Sequence, residues 1–292
     1  MFKKNFTLLF AIAMIYAMAF ATVDGLTVGA GLAIYDFDAE DVSKDMMAGF
    51  YGAYETSFMD EAFEIDLEVG LSRFYLDDKT NIVDIEIEAT YNIEFDVASR
   101  LSFILNSYTL LPFHDDLDVT SYLTPGVKLR QTLGFGDIYF KVDVPFNLVN
   151  ADYSNVHDTF DFVGLDFTFS IFNERKTNYR GNVHKFPNGF GGELKMCNVL
   201  NHPDDETGFV DYLHITPFYT KDFIYVEAEV CIPLQKNGID TEGLTVTPKI
   251  EMDAPINGLG VWFEFPISQI GADKDLTGKT IFGTFFGVSY NF

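Results

Sequence analysis

Apolar and polar residues alternate along most of the chain after residue 22. In the clearest run, residues 83–95, one parity is apolar or aromatic from Val83 to Phe95, and the positions between them are mostly acidic or polar. Residues 63–71 and 224–232 show the same period of two. Such a period places successive side chains on opposite faces of a β-strand. The pattern therefore predicts strands, and no segment after residue 22 has a convincing helical period.

The alternation predicts fourteen strands. Each has about ten to thirteen residues, whereas a tilted strand needs about 9–11 to cross a bilayer core and the average soluble strand has about 5–6. These lengths predict an all-β fold, a transmembrane antiparallel up-and-down β-barrel, with twelve strands as the alternative to fourteen. The predicted strands lie near 26–35, 46–57, 63–75, 82–95, 100–112, 119–132, 138–149, 160–172, 189–199, 209–219, 224–234, 244–255, 259–270 and 280–292.

The connections between these strands alternate in length, as expected for a barrel with short periplasmic turns and longer outer loops. Segment 173–188 breaks the alternation, because it is long where a short turn is expected. It is also basic, and we interpret it either as a missed strand pair or as a plug or inner loop. The predicted outer loops, most of them acidic, are 36–45, 76–81, 113–118, 150–159, 200–208, 235–243 and 271–279.

Three hairpins repeat a proline pattern. Thr124-Pro125 is followed by Val144-Pro145, and a similar pair brackets a tight turn at Pro217 with Pro233 and at Pro248 with Pro266. Because proline cannot donate to a sheet ladder, we expect these prolines at strand ends or bulges near the membrane rim.

The N-terminus reads as a targeting segment. Lys3 and Lys4 precede an apolar stretch, and Ala19-Phe20-Ala21 fits a signal-peptidase site. We therefore expect a signal peptide at residues 1–21, cleaved after Ala21, and a single barrel domain at residues 22–292.

The last strand carries the most specific motif. Phe286, Val288, Tyr290 and Phe292 alternate with small or polar residues. This resembles the C-terminal signature of bacterial outer-membrane β-barrel proteins of the porin-like kind, in which a terminal Phe is read by the barrel assembly machinery. The resemblance implies the outer membrane of a diderm bacterium, with lipid and the assembly machinery as partners, and it identifies no narrower family. A soluble exported β-sandwich is the alternative.

Charge adds a hypothesis about function. The formal net charge is -25, which argues against nucleic acid as a partner. Of the ionisable residues on the polar face, five are basic: Lys128, Arg130, Lys141, Lys195 and Lys249. The acidic ones are Glu64, Asp66, Glu68, Asp84, Glu86, Glu88, Glu94, Asp143, Asp166, Glu193, Glu227, Glu229, Glu251, Asp253 and Glu264.

So many like charges cannot share a dry core, and anionic linings favour cations. The leading hypothesis is therefore a water-filled, cation-preferring pore for passive diffusion of small solutes. The alternative is a non-conducting, surface-exposed barrel that acts as a structural, adhesin or antigen protein through its acidic outer loops.

Catalytic and metal motifs are weak. His214 shares a strand with Asp211, but the two have opposite parity, and no nucleophile–base pair is apparent, so we expect no enzyme activity, no cofactor and no metal site. Cys197 and Cys231 are predicted on strands nine and eleven. They would be about 10 Å apart across the intervening strand, too far for a disulfide, so we expect free thiols.

Overall fold

The computed structural model describes residues 25–34, 46–59, 62–74, 81–112, 119–134, 136–152, 155–158, 161–173, 175, 183, 187–199, 207–235, 238–239, 244–256, 258–268 and 281–292. The predicted signal peptide and the predicted loops 36–45, 113–118 and 271–279 lie outside these residues. Within them, no helix is long and apolar enough to cross a membrane.

Fourteen strands make up the fold. Some are interrupted, and their parts are given together. They are β1 Leu26–Ile34, β2 Met46–Phe58, β3 Phe63–Phe74, β4 Asn81–Asp96, β5 Ser99–Pro112, β6 Val119–Leu133, β7 Gly136–Asp143 with Phe146–Asp152, β8 Asn155–Asp158 with Asp161–Phe162 and Leu165–Phe172, β9 Gly189–Val199, β10 Thr207–Lys221, β11 Ile224–Gln235, β12 Gly238–Ile239 with Thr245–Asp253, β13 Leu259–Glu264 with Ile267–Ser268, and β14 Ile281–Phe282 with Thr284–Asn291.

The sheet closes on itself. Each strand pairs antiparallel with the next one in the chain, and β14 pairs with β1 from Ile34 opposite Thr284 to Thr27 opposite Asn291. The Phe292 N–H donates to the Leu26 carbonyl at 2.9 Å. The all-antiparallel barrel of fourteen strands is confirmed, and the alternative of twelve is wrong. Closure leaves no strand edge unpaired, as a bilayer requires.

The proline repeat has a structural counterpart in two of its three hairpins. The Val144 N–H donates to the Pro125 carbonyl, and the Phe265 N–H donates to the Pro248 carbonyl, each at 2.9 Å. β7 and β13 are interrupted at the prolines that follow, because proline has no N–H for the ladder. The expectation was that the prolines lie at strand ends or bulges. Pro145 and Pro266 lie at strand interruptions, whereas Pro125 and Pro248 lie inside β6 and β12.

Two predicted loops are partly strand. β7 and β8 continue into 150–159, where Asp152 faces Asn155. In 235–243, Ile239 pairs with Leu234. Backbone pairing holds these extensions, and it requires no apolar alternation, so the periodicity that marks the rest of the strands does not mark these ends.

The two faces of the barrel differ in character. Large apolar side chains on the outer parity are exposed, as at Leu71, Ile87 and Phe103 (44%, 43% and 46%), whereas Glu227 and Glu251 on the other parity are buried (8% and 1%). So many large apolar side chains exposed on one face of a sheet require a medium that covers them. For a closed barrel that medium is lipid. The chain is therefore a transmembrane β-barrel whose second face lines a lumen.

Candidate functional site in the barrel lumen

All fifteen predicted lumen carboxylates lie at inward-facing positions. In β3 and β4, Asp66 stands opposite Glu88 and Glu68 opposite Glu86. Farther round the barrel, Asp143 stands opposite Asp166. The other members share this parity through the registers that connect β4 to β5, β8 to β9 and β11 to β14.

One side of the lumen is strongly acidic. We call the inward positions of β2, β3 and β4 the acidic wall. Arg100 is the one Lys or Arg at an inward position of β1–β5, and it binds Glu94 at 2.7 Å. Like charges placed directly opposite one another destabilise a sheet, so the acidic wall requires water, mobile cations or basic side chains beside it. Its carboxylates are Glu55, Glu64, Asp66, Glu68, Asp84, Glu86, Glu88 and Glu94.

The opposite side of the lumen carries acids and bases in direct contact. Asp143 forms an ion pair with Lys141 at 3.1 Å, and Asp166 forms one with Lys195 at 3.1 Å. Lys249 lies 2.7 Å from the almost fully buried Glu251. Buried carboxylates in this setting are stabilised by a cation on the same or the neighbouring strand. The charge of this side is thus largely neutralised within the wall.

Arg175 adds a cation from outside the strands. It lies in the connection between β8 and β9, and only 16% of its side chain is exposed. Its Nε lies 2.9 Å from Glu227, and its two terminal nitrogens lie 2.6 Å from Glu229 and 3.3 Å from Glu193. A guanidinium presents several donors in one plane, so a single side chain joins β9 to β11 across β10.

Val183, from the same connection, is also inside the barrel. It is fully buried and packs with Phe218 and Tyr225 from the inward faces of β10 and β11. Its N–H donates to the Asp253 carboxylate at 3.0 Å. None of the described residues between 173 and 188 belongs to a strand. The inner-loop interpretation of this segment therefore agrees with Arg175 and Val183, and no missed strand pair is found among the described residues.

His214 connects the thiols to the same charge network. Its Nδ1 lies 3.1 Å from Glu229, and its Nε2 lies 3.7 Å from the Cys231 sulfur. Cys231 stands directly opposite His214 on β11. The sequence pattern suggested only Asp211 as a partner of His214 and did not indicate Cys231. The Cys231 thiol, the His214 imidazole and the Glu229 carboxylate therefore form a chain of contacts. This differs from the prediction that no nucleophile lies beside a base.

Glu229 is shared in this arrangement, because Arg175 binds it as well. Cys197 and Cys231 are both free, as predicted. Among the described residues, no group of three or more His, Cys, Asp or Glu side chains is arranged to hold a metal ion.

The C-terminal signature lies at the barrel seam. Phe286, Val288 and Tyr290 point outward from β14, each 38% exposed. The Phe292 and Tyr290 rings meet edge to face at 4.8 Å. These residues therefore lie on the strand that closes the barrel between β13 and β1.

Comparison with known proteins yields structural likenesses alone. No protein-family model and no curated protein matches the chain. The outer-membrane protein Omp33 of Acinetobacter baumannii is similar over 92% of this chain and 98% of that one, at 9% identity and a TM-score of 0.49. The NanC porin is similar over 91% of this chain and 100% of that one, at 10% identity and a TM-score of 0.41.

The outer-membrane phospholipase A of Escherichia coli is similar over 92% of both chains, at 8% identity and a TM-score of 0.42. Because the identities and TM-scores are this low, we draw no conclusion about this chain from these three structures. The barrel itself is established by the strand pairing within the chain.

Proposed function

We propose that this outer-membrane barrel is a water-filled pore through which small solutes diffuse passively, and that it prefers cations. The observation that carries the proposal is the acidic wall, where three adjacent strands place eight carboxylates and no Lys or Arg of their own at inward positions. A lumen lined in this way attracts cations and repels anions.

Hydration of the lumen follows from the same wall. The Cβ atoms of directly opposed residues on adjacent strands lie about 5 Å apart. Repulsion between carboxylates placed so closely is relieved by water, by counter-ions or by basic side chains, and a hydrated lumen supplies the first two. Barrels of about 8 strands are filled by their own side chains, whereas those with 16–18 leave a channel. Fourteen strands lie nearer to the second group, which favours a lumen that holds water.

Two other functions are less well supported by the described residues. The structural, adhesin or antigen role depends on outer loops that lie largely outside them. Catalysis would have to use Cys231, His214 and Glu229, but Glu229 is held by Arg175 as part of the wall's charge network. We expect no enzyme activity, no cofactor and no metal requirement.

Ion selectivity in planar lipid bilayers tests the pore directly. Purified protein should give discrete conductance steps, and under a KCl gradient the reversal potential should indicate cation preference. The double variant Glu86→Gln/Glu88→Gln should lower that preference by about twofold or more, because it removes two charges from the acidic wall.

The matched control is Asp115→Asn/Asp116→Asn, which removes the same charge between β5 and β6, outside the strands. It should change the preference less than the wall variant does. Absence of conductance, or a preference for anions in the unmodified protein, would exclude the proposed function.

A further inference from the structure

We infer that Arg175 determines the selectivity of the pore: it withdraws Glu193, Glu227 and Glu229 from the permeation path and narrows the lumen on that side. The inference rests on the proposed pore function and names the residue that shapes its path.

The charge argument starts from the contacts of Arg175. Three carboxylates from two strands bind one guanidinium at distances of 2.6–3.3 Å. Glu227 also accepts a hydrogen bond from the Tyr225 hydroxyl. Among the described residues, Lys249 also lies 4.0 Å from Glu227. Carboxylates held in this way present less charge to a passing ion than they would without the guanidinium.

The steric argument uses the position of Arg175 and Val183. Arg175 reaches Glu193 on β9 and Glu229 on β11, and the backbone of Val183 reaches Asp253 on β12. Both residues come from the connection at the short-turn end of the barrel. The Arg175 side chain and Val183 therefore occupy lumen beside the inward faces of β9–β12 that a bare fourteen-stranded wall would leave to water.

The contacts at the base of the connection support the same placement. The Asn173 amide donates to the Phe190 carbonyl, and the Asn188 side chain exchanges two hydrogen bonds with Asp222 in the β10–β11 turn. The connection is therefore attached to the wall at both of its ends as well as at Arg175 and Val183.

The test compares Arg175→Ala with Arg100→Ala. Each variant removes one inward positive charge, but Arg100 binds only Glu94 among the described ion pairs, and that glutamate is largely exposed. Reversal potentials report charge selectivity. Liposome swelling with neutral sugars of increasing size reports the open cross-section, which charge does not affect.

We expect Arg175→Ala to raise the cation-to-anion permeability ratio by about twofold or more, because three carboxylates are uncovered. It should also admit a neutral trisaccharide faster relative to a pentose. Arg100→Ala should raise the permeability ratio less and leave the sugar size dependence unchanged. If Arg175→Ala leaves three buried carboxylates that prevent folding, Arg175→Gln/Glu227→Gln removes the cation together with one of them and should show both effects.

Each outcome decides the inference. Equal behaviour of the Arg175 and Arg100 variants in both assays would overturn it, as would a folded double variant indistinguishable from the unmodified protein. If the unmodified protein passes nothing and Arg175→Ala passes ions and sugars, the proposed constitutive pore fails and the narrowing role of Arg175 is upheld. If neither passes anything, both proposals fail.

Discussion

The single tryptophan is packed against glycines where the barrel closes. Trp262 lies on the inner face of β13 and is 3% exposed. A Cβ added to Gly287 would lie 2.5 Å from the indole Cζ2 and 2.3 Å from the Ala30 carbonyl oxygen, and one added to Gly31 would lie 2.7 Å from Cζ2. Close approach of the ring therefore requires glycine at these positions of β14 and β1.

Gly287→Ala should destabilise the barrel by about 1–3 kcal/mol, because an extra methyl group in a tightly packed site forces its neighbours to move. Heat-modifiable gel migration and tryptophan emission, followed as the temperature rises, would measure the loss of stability of the folded barrel. The matched control is Gly52→Ala in β2, where an added Cβ meets no atom within 4 Å. Equal melting of the two variants would contradict this account of Trp262.

Parity along the sequence predicted which residues face the lumen, but it did not predict their partners. Glu227 and Glu229 follow directly from the alternation in β11. Their contact with Arg175 depends on a connection that bends into the barrel, and no local pattern encodes that bend. The available signal was charge: a basic segment at a short-turn position in an otherwise acidic chain. His214 and Cys231 were missed because their meeting depends on the register between β10 and β11.

At the level of strands, the alternation predicted every membrane-spanning element and missed the strand ends. The additional pairing in β7, β8 and β12 lies in polar sequence, where backbone hydrogen bonds alone hold the strands together. The proline repeat was readable from the sequence. The place of each proline inside its strand was not, because it depends on how neighbouring strands are offset.

The last strand supplies a prediction about assembly. Deletion of Phe292 should lower the yield of folded, membrane-inserted barrel severalfold, because the chain loses both the terminal aromatic of its signature and the backbone bond to Leu26 that ends the seam. Fractionation followed by heat-modifiable gel migration measures the yield.

Phe103→Ala is the control for that deletion. Phe103 is an outward phenylalanine on β5 with 46% exposure, so its loss removes a comparable lipid contact away from the seam. If the deletion inserts as well as the control, the role assigned to Phe292 is wrong.

For the whole molecule, the number of strands followed from the apolar–polar alternation. Closure into a barrel followed from the strand lengths and from the alternation of long and short connections. The division of the lumen into an acidic wall and a side with direct acid–base contacts did not follow from these features. It arises because the lysines of β7, β9 and β12 meet acids on their own or adjacent strands and because Arg175 enters from a connection. The proposed cation preference depends on the excess of acidic over basic residues at inward positions.

The division between lipid and water is tested most directly by a spin-label scan of β4 in protein whose Cys197 and Cys231 are replaced by serine. Each residue from Val83 to Asn92 is changed in turn to cysteine and labelled in lipid vesicles. Accessibility to oxygen, which concentrates in lipid, should peak at positions 83, 85, 87, 89 and 91. Accessibility to a water-soluble nickel complex should peak at the positions between them. Accessibilities that rise and fall together, or even positions closed to the nickel complex, would contradict a hydrated lumen inside a lipid-facing barrel.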